Sequence, residues 1–177
     1  QLEAGTLAIA VAASKGHVVI EEFVAEDHDM LLLKFSEMGV NYDMLDARTI
    51  EIKPSDELKA VNIQTQPYPG LPSDLQAPFA VLMTQAKGKS EIFEIMYEGR
   101  LNYLFELQRM GAETSIRDPH VGQIEGPTRL HGTELISFDI RAGATILIAA
   151  LIAEGTTTID RVEHIDRGYE FFDKRLA

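Results

Sequence analysis

The 177-residue sequence predicts an α/β domain of three repeats, each helix-strand-helix-strand-strand, with inner helices and outer mixed sheets about a pseudo-threefold axis. Three observations predict it. A helix-like stretch, a glycine, a short β-rich run and a second amphipathic stretch follow one another three times along the chain. The landmarks keep fixed offsets: Gly16 to Gly88 and Gly39 to Gly111 are both 72 residues, and Gly88 to Gly155 is 67. The first helix is apolar nearly all round in repeat 1 (LAIAVAA) and repeat 3 (ILIAALIA), which predicts burial on every side.

The repeats run over about 1–72, 73–138 and 139–177, and together make one incomplete domain covering 1–177. In repeat 1, AGTLAIAVAASKG is a helix closed by Gly16, and HVVI is a strand. The second helix carries a stripe of Leu31, Leu32, Phe35 and Met38, and VNYDMLDARTIEIK alternates like two paired strands. Repeat 2 has an amphipathic first helix with Phe79, Leu82, Met83 and Ala86 on one stripe. The strand SEIFEI, the helix around FELQRMG and the alternating ETSIRDPHVGQIEG follow. Repeat 3 offers ATILIAALIAEG, TTTI and YEFFDKRLA, and stops before its last two strands. Gly16, Gly88 and Gly155, and likewise Gly39 and Gly111, stand where a left-handed residue would end each helix. The strands that repeat 3 lacks are expected from elsewhere in a longer parent chain, since otherwise a sheet edge stays open.

Composition narrows the function. There is no cysteine, which excludes a disulfide scaffold, a thiolate metal site and a cysteine nucleophile within this chain. A net charge of −12 argues against general binding to nucleic acid or anionic membranes, so an anion site must be built from a few placed bases. ILIAALIA is far shorter than the roughly 20 residues needed to cross a bilayer. The start QLEAGTLAIA has no basic leader, and a cytoplasmic location is expected.

The placed bases follow the repeat. Arg167 in HIDRGYE, Arg100 in YEGRLNY and His28 in AEDHDML are equivalent under the 67- and 72-residue shifts, each at the start of a second helix. Helix starts with basic side chains suit an anion, although three solvated bases would give the same pattern and His28 has Asp27 and Asp29 to pair with. Ser73 and Gln76 fit a capping box, so Asp74 is either a first-turn acid or a carboxylate placed to accept a hydroxyl proton. Asp139 and Arg141 precede the first helix of repeat 3 and have the spacing of a local ion pair. His164 and Asp166 find no third ligand, so no metal is expected. His120 and His131 fall in strand-like tails and are expected at the surface.

PYPGLPSDLQAPF, EIMYEGR, LQRMGAE, FDIRAGATILIAALIAEGTTTIDRVEHIDRGYE and LEAGTLAIAVAASKG together resemble the enolpyruvyl transferase family over essentially the whole chain. HIDRGYE and PSDLQA set the chain apart from the 5-enolpyruvylshikimate-3-phosphate synthases of that family. The resemblance implies an inside-out barrel and a cleft between two such domains, of which this chain supplies most of one. It implies transfer of the enolpyruvyl group of phosphoenolpyruvate to the 3-hydroxyl of UDP-N-acetylglucosamine with release of phosphate, without a cofactor. By the same likeness, Asp74 contacts the 3-hydroxyl as candidate base, and Met96 offers a backbone group to the UDP-sugar. Arg167 binds the anionic groups of phosphoenolpyruvate, and Arg100, Asp139 and Arg141 support the cleft. The other domain, which carries a Lys-Asn pair, further arginines and a catalytic loop, is the expected partner, and the chain alone is expected to be inactive. The alternatives are a non-catalytic binding or scaffold module of the same fold, and the shikimate-pathway relative. The chain departs from the family with EGR where ENR is common and FDIRAGAT where TDLRASAS is common.

Overall fold

Each repeat opens on an inner helix in the computed structural model, which describes residues 2–137, 139–166 and 169. Repeat 1 comprises α1 (Leu2–Ser14), β1 (Val18–Ile20), a 3₁₀ turn (Ala25–His28), α2 (Asp29–Met38), β2 (Asn41–Asp46) and β3 (Thr49–Lys53). Next come β4 (Ile63–Gln64), α3 (Ser73–Met83), β5 (Gly88–Phe93), α4 (Tyr103–Arg109), β6 (Glu113–Asp118) and β7 (Val121–Gly126). Then follow β8 (Glu134–Ile136), α5 (Ile140–Ile152), β9 (Thr158–Asp160) and α6 (Glu163–Asp166). Every strand that the alternation predicts is present. Two more, β4 and β8, precede α3 and α5; they are too short for a period to show, and they pair with partners far along the chain.

The strands form three sheets, ordered β1-β3-β2, β4-β5-β7-β6 and β8-β9. β4 runs parallel to β5 and β8 parallel to β9, whereas the other pairs are antiparallel. The repeat holds at the level of single residues. The register shifts between Met44 and Asp46 in β2, and again between Ile116 and Asp118 in β6, 72 residues later. All three sheets stay open among the described residues, so the closed inside-out barrel implied by the resemblance is not formed within them.

The inner helices α1, α3 and α5 pack on one another. α1 is buried on every side from Ala8 to Ala13, as its apolar run predicts, whereas α3 and α5 depart from the sequence pattern. Leu75–Met83 of α3 is buried on all sides, not along one stripe, because α1 and α5 flank it and β5 and β7 cover it. α5, predicted to be buried all round, leaves Leu151 46% exposed. Its apolar surplus faces a side that the described residues do not cover. The core also takes in Phe23, Phe35, Met38, Ile50 and Ile52 from repeat 1, and Ile92, Leu107, Met110 and Ile124 from repeat 2.

The helix ends follow the glycines in part. Gly39 adopts φ 85°, and its N–H donates to Phe35 and Ser36 carbonyls, as a left-handed cap should. At the end of α1 the left-handed residue is Lys15 (φ 55°) and not Gly16, because the helix stops one residue earlier than the glycine suggests. Gly88 belongs to β5, paired with Gly126, and so caps nothing.

Candidate functional site: a carboxylate between two arginines

α3 starts after Pro72, whose ring fixes φ at −63°. The Ser73–Gln76 capping box does not form. Ser73 Oγ donates instead to Glu94 Oε2 at 2.8 Å and accepts from Arg100 Nη1 at 2.5 Å. Glu94 stands just past β5 and is fully buried. Its Oε1 accepts from Thr65 Oγ1 (2.9 Å), Met96 N (2.9 Å) and Tyr97 N (3.2 Å). A buried carboxylate needs such a set of donors to offset its lost hydration. Through these bonds one residue ties the start of α3, the end of β4 and the turn carrying Arg100 into a single unit. Sequence reasoning missed Glu94. The one available signal was that it shares the inward face of SEIFEI with Ile92, where an acid is out of place.

Arg100 stacks over the Tyr97 ring at 3.6 Å and brings Nη1 to 3.8 Å from Asp74 Oδ1. Arg141 reaches the same oxygen at 3.2 Å from the first turn of α5. Asp139 is the N-cap of α5: its Oδ1 accepts from Arg141 N at 2.8 Å and Ala142 N at 3.0 Å, and lies 3.6 Å from Arg141 Nε. The local ion pair read from the sequence is therefore also a cap, and it orients Arg141 toward Asp74. The Asp74 side chain is 49% exposed and both arginines are 24% exposed, so the cluster opens outward. Next to it lies a cavity of about 360 Å³ lined by Ser73, Gln76, Arg100, Tyr103, Asp139 and Arg141 among others.

The structure thus brings Asp74, Arg100, Asp139 and Arg141 together. Met96 is half-buried, and its N–H donates to Glu94 Oε1. Arg167 lies outside the described residues, as do the side chains of His164 and Asp166. His28, the third member of the set of basic residues, does not join an anion site. It is 2% exposed, stacks on Phe23 at 4.1 Å and donates from Nδ1 to the Val24 carbonyl at 2.8 Å. An aromatic neighbour five residues earlier made burial cheaper than exposure. His120 is partly exposed, with Nδ1 on the Glu94 carbonyl at 2.6 Å, and His131 is exposed.

Two tyrosines feel the site. Burial pushes the Tyr169 hydroxyl up to about 12; the carboxylates of Asp74 and Glu3 add to this, whereas its bond to Thr6 and the charge of Arg141 oppose it. Burial and the charge of Glu94 hold the Tyr103 hydroxyl well above its usual range. Both are neutral donors at physiological pH. Among the described residues no three His, Asp or Glu side chains gather as a metal site, and no helix is long and apolar enough to cross a membrane.

A carboxylate thus stands between two guanidinium groups at the end of the domain where the inner helices α3 and α5 begin. The chain belongs to the EPSP synthase (3-phosphoshikimate 1-carboxyvinyltransferase) family, which matches residues 1–176. Among curated relatives, it is 41% identical over 177 residues to UDP-N-acetylglucosamine 1-carboxyvinyltransferase of Halothermothrix orenii (100% of this chain, 42% of that one). It is 42% identical over 178 residues to the enzyme of the same name from Elusimicrobium minutum, with the same coverage. The chain spans about two-fifths of the length of these relatives. Among solved structures, the enolpyruvyl transferase NikO from Streptomyces tendae superposes with a TM-score of 0.90 at 28% identity, over 99% of this chain and 41% of that one. EPSP synthase from Acinetobacter baumannii shares the fold, with a TM-score of 0.74 at 19% identity over 98% of this chain and 44% of that one.

Proposed function

We propose that the chain supplies one half of the active site of a carboxyvinyl transferase that moves the enolpyruvyl group of phosphoenolpyruvate to the 3-hydroxyl of UDP-N-acetylglucosamine and releases phosphate. This is the first committed step of peptidoglycan synthesis, in the cytoplasm, and it serves cell-wall growth and division. The observation that carries the reading is the convergence of Arg100 and Arg141 on Asp74 Oδ1, in a chain with relatives named for this activity.

Asp74 is placed to accept the proton of the attacking hydroxyl. The oxygen adds to the central carbon of the enol phosphate while a proton goes to the methylene; the tetrahedral intermediate then gives up a proton from the new methyl group and expels phosphate, which restores the double bond. Arg100 and Arg141 balance the carboxylate before substrate arrives and offer their open edges to anionic groups afterwards. Asp139 holds Arg141 in place, and Met96 offers a backbone group to the UDP-sugar. Arg167 contributes to the phosphoenolpyruvate site. Half of the constellation belongs to a second domain, and closure of the two would exclude water. The 177-residue chain by itself should therefore release no phosphate, and robust turnover from it would overturn this division of the site.

In the full-length protein, Asp74→Ala should lower kcat by roughly 100-fold or more, the usual scale for a general base, with the melting transition unchanged. Unaltered turnover in that variant would remove Asp74 as the base.

A further inference from the structure

The cavity beside Asp74 carries two polar groups that the reaction as described leaves idle. Gln76 is 1% exposed and Tyr103 is 4% exposed, and both line the cavity. Neither Gln76 Nε2 nor Tyr103 Oη has a hydrogen-bond partner among the described residues. Two buried donors without acceptors on one cavity wall are a departure from ordinary packing.

The first repeat shows that the fold does not require them. Shifted back by 72 residues, Gln76 becomes Ala4, Tyr103 becomes Leu31 and Ala77 becomes Gly5. There the space is closed: a Cβ on Gly5 would lie 2.9 Å from Leu75 Cδ1 and 3.2 Å from His28 Cδ2. The residues equivalent to this trio, Ala77, Ala142 and Arg100, instead line the open cavity of repeat 2. Small and polar side chains therefore replace fillers at this one place.

We propose that Gln76 and Tyr103 form a subsite for an uncharged oxygen, a hydroxyl or carbonyl, of the sugar acceptor; the inference rests on the function proposed above. The Gln76 amide nitrogen can only donate, and the Tyr103 hydroxyl can donate to the same atom, so the ligand atom must be an acceptor. The buried carboxylates of Glu94, whose charge acts on Tyr103, and of Glu106, on the same wall, disfavour an anion there. The guanidinium groups already engage Asp74, Ser73 and Asp139 at the mouth. A volume of about 360 Å³ falls within the range of small-ligand sites.

The test is steady-state phosphate release by the full-length protein and its Gln76→Met and Tyr103→Phe variants, with the two substrates varied separately. Each variant should raise the KM for UDP-N-acetylglucosamine roughly five- to tenfold, the scale of one lost hydrogen bond, and leave the KM for phosphoenolpyruvate within about twofold. Tyr103→Phe removes a single oxygen and keeps the ring, so it reports even if Gln76→Met folds poorly. Wild-type turnover with both KM values unmoved in the variants means that the cavity holds only water, and it overturns the subsite. A rise confined to the KM for phosphoenolpyruvate overturns it too. A wild type that turns over neither substrate removes the proposed activity and the subsite together, and is distinguished by its lack of phosphate release.

Discussion

Repeats 1 and 2 fold alike down to the bulge in their hairpins, yet the same position carries opposite chemistry at the end where the site lies. Glu22 and Glu94 are 72 residues apart. Glu22 has a side chain 77% exposed and pairs with Arg48 at the surface. Glu94 is fully buried under four hydrogen bonds. His28 is sealed against Phe23, whereas its counterpart Arg100 faces Asp74. Asp74 itself stands where repeat 1 has Leu2. The comparison teaches that apolar spacing and turns set the repeated fold, and that a handful of polar exchanges at helix starts set the copy with the candidate site apart from the other.

The largest effect should come from the pair that defines this contrast. Glu94→Ala strips an acceptor from two hydroxyls and two backbone N–H groups and should cost about 3 kcal/mol in urea denaturation. Glu22→Ala removes an exposed ion pair and should change stability by no more than about 0.5 kcal/mol. Equal losses in the two would dissolve the distinction. Next in size, His28→Arg, which rewrites repeat 1 as repeat 2, should destabilise by about 2 kcal/mol, because a cation would replace a ring buried against Phe23. A neutral outcome would mean that the first repeat can open as the second does.

A separate effect is expected at alkaline pH. Tyr169 ionises at about 12 in the fold against an ordinary value of 10.0, chiefly because it is buried. The folded state therefore holds its proton after the unfolded state has lost it. The contribution is whole below pH 10 and is lost as the pH rises to about 12. The urea midpoint should fall over that window, and Tyr169→Phe should make the fall shallower.

Much of the fold was legible from spacing: the glycine offsets, the alternation in both hairpins and the apolar inner helices each describe a local pattern. What was not legible depended on partners distant in sequence. β4 and β8 are two and three residues long and exist through parallel pairing. α3 is buried all round because of where it packs and not because of its stripe. At the site, Asp74, Arg100, Asp139 and Arg141 could be picked out by position within the repeat and by family likeness. The bond from Ser73 to Glu94 could not be, because the capping box uses the same residue types in a commoner way. Gln76 and Tyr103 became visible only once their counterparts Ala4 and Leu31 could be compared in three dimensions.

By the function proposed above, the cluster around Asp74 serves a nucleotide-sugar acceptor. The most direct measurement is phosphate release by the full-length protein from phosphoenolpyruvate, with UDP-N-acetylglucosamine or shikimate 3-phosphate as the acceptor. Release is expected with the sugar nucleotide and not with shikimate 3-phosphate, and it should be abolished in Asp74→Ala. Release with shikimate 3-phosphate alone, or with neither acceptor, would contradict the proposed function.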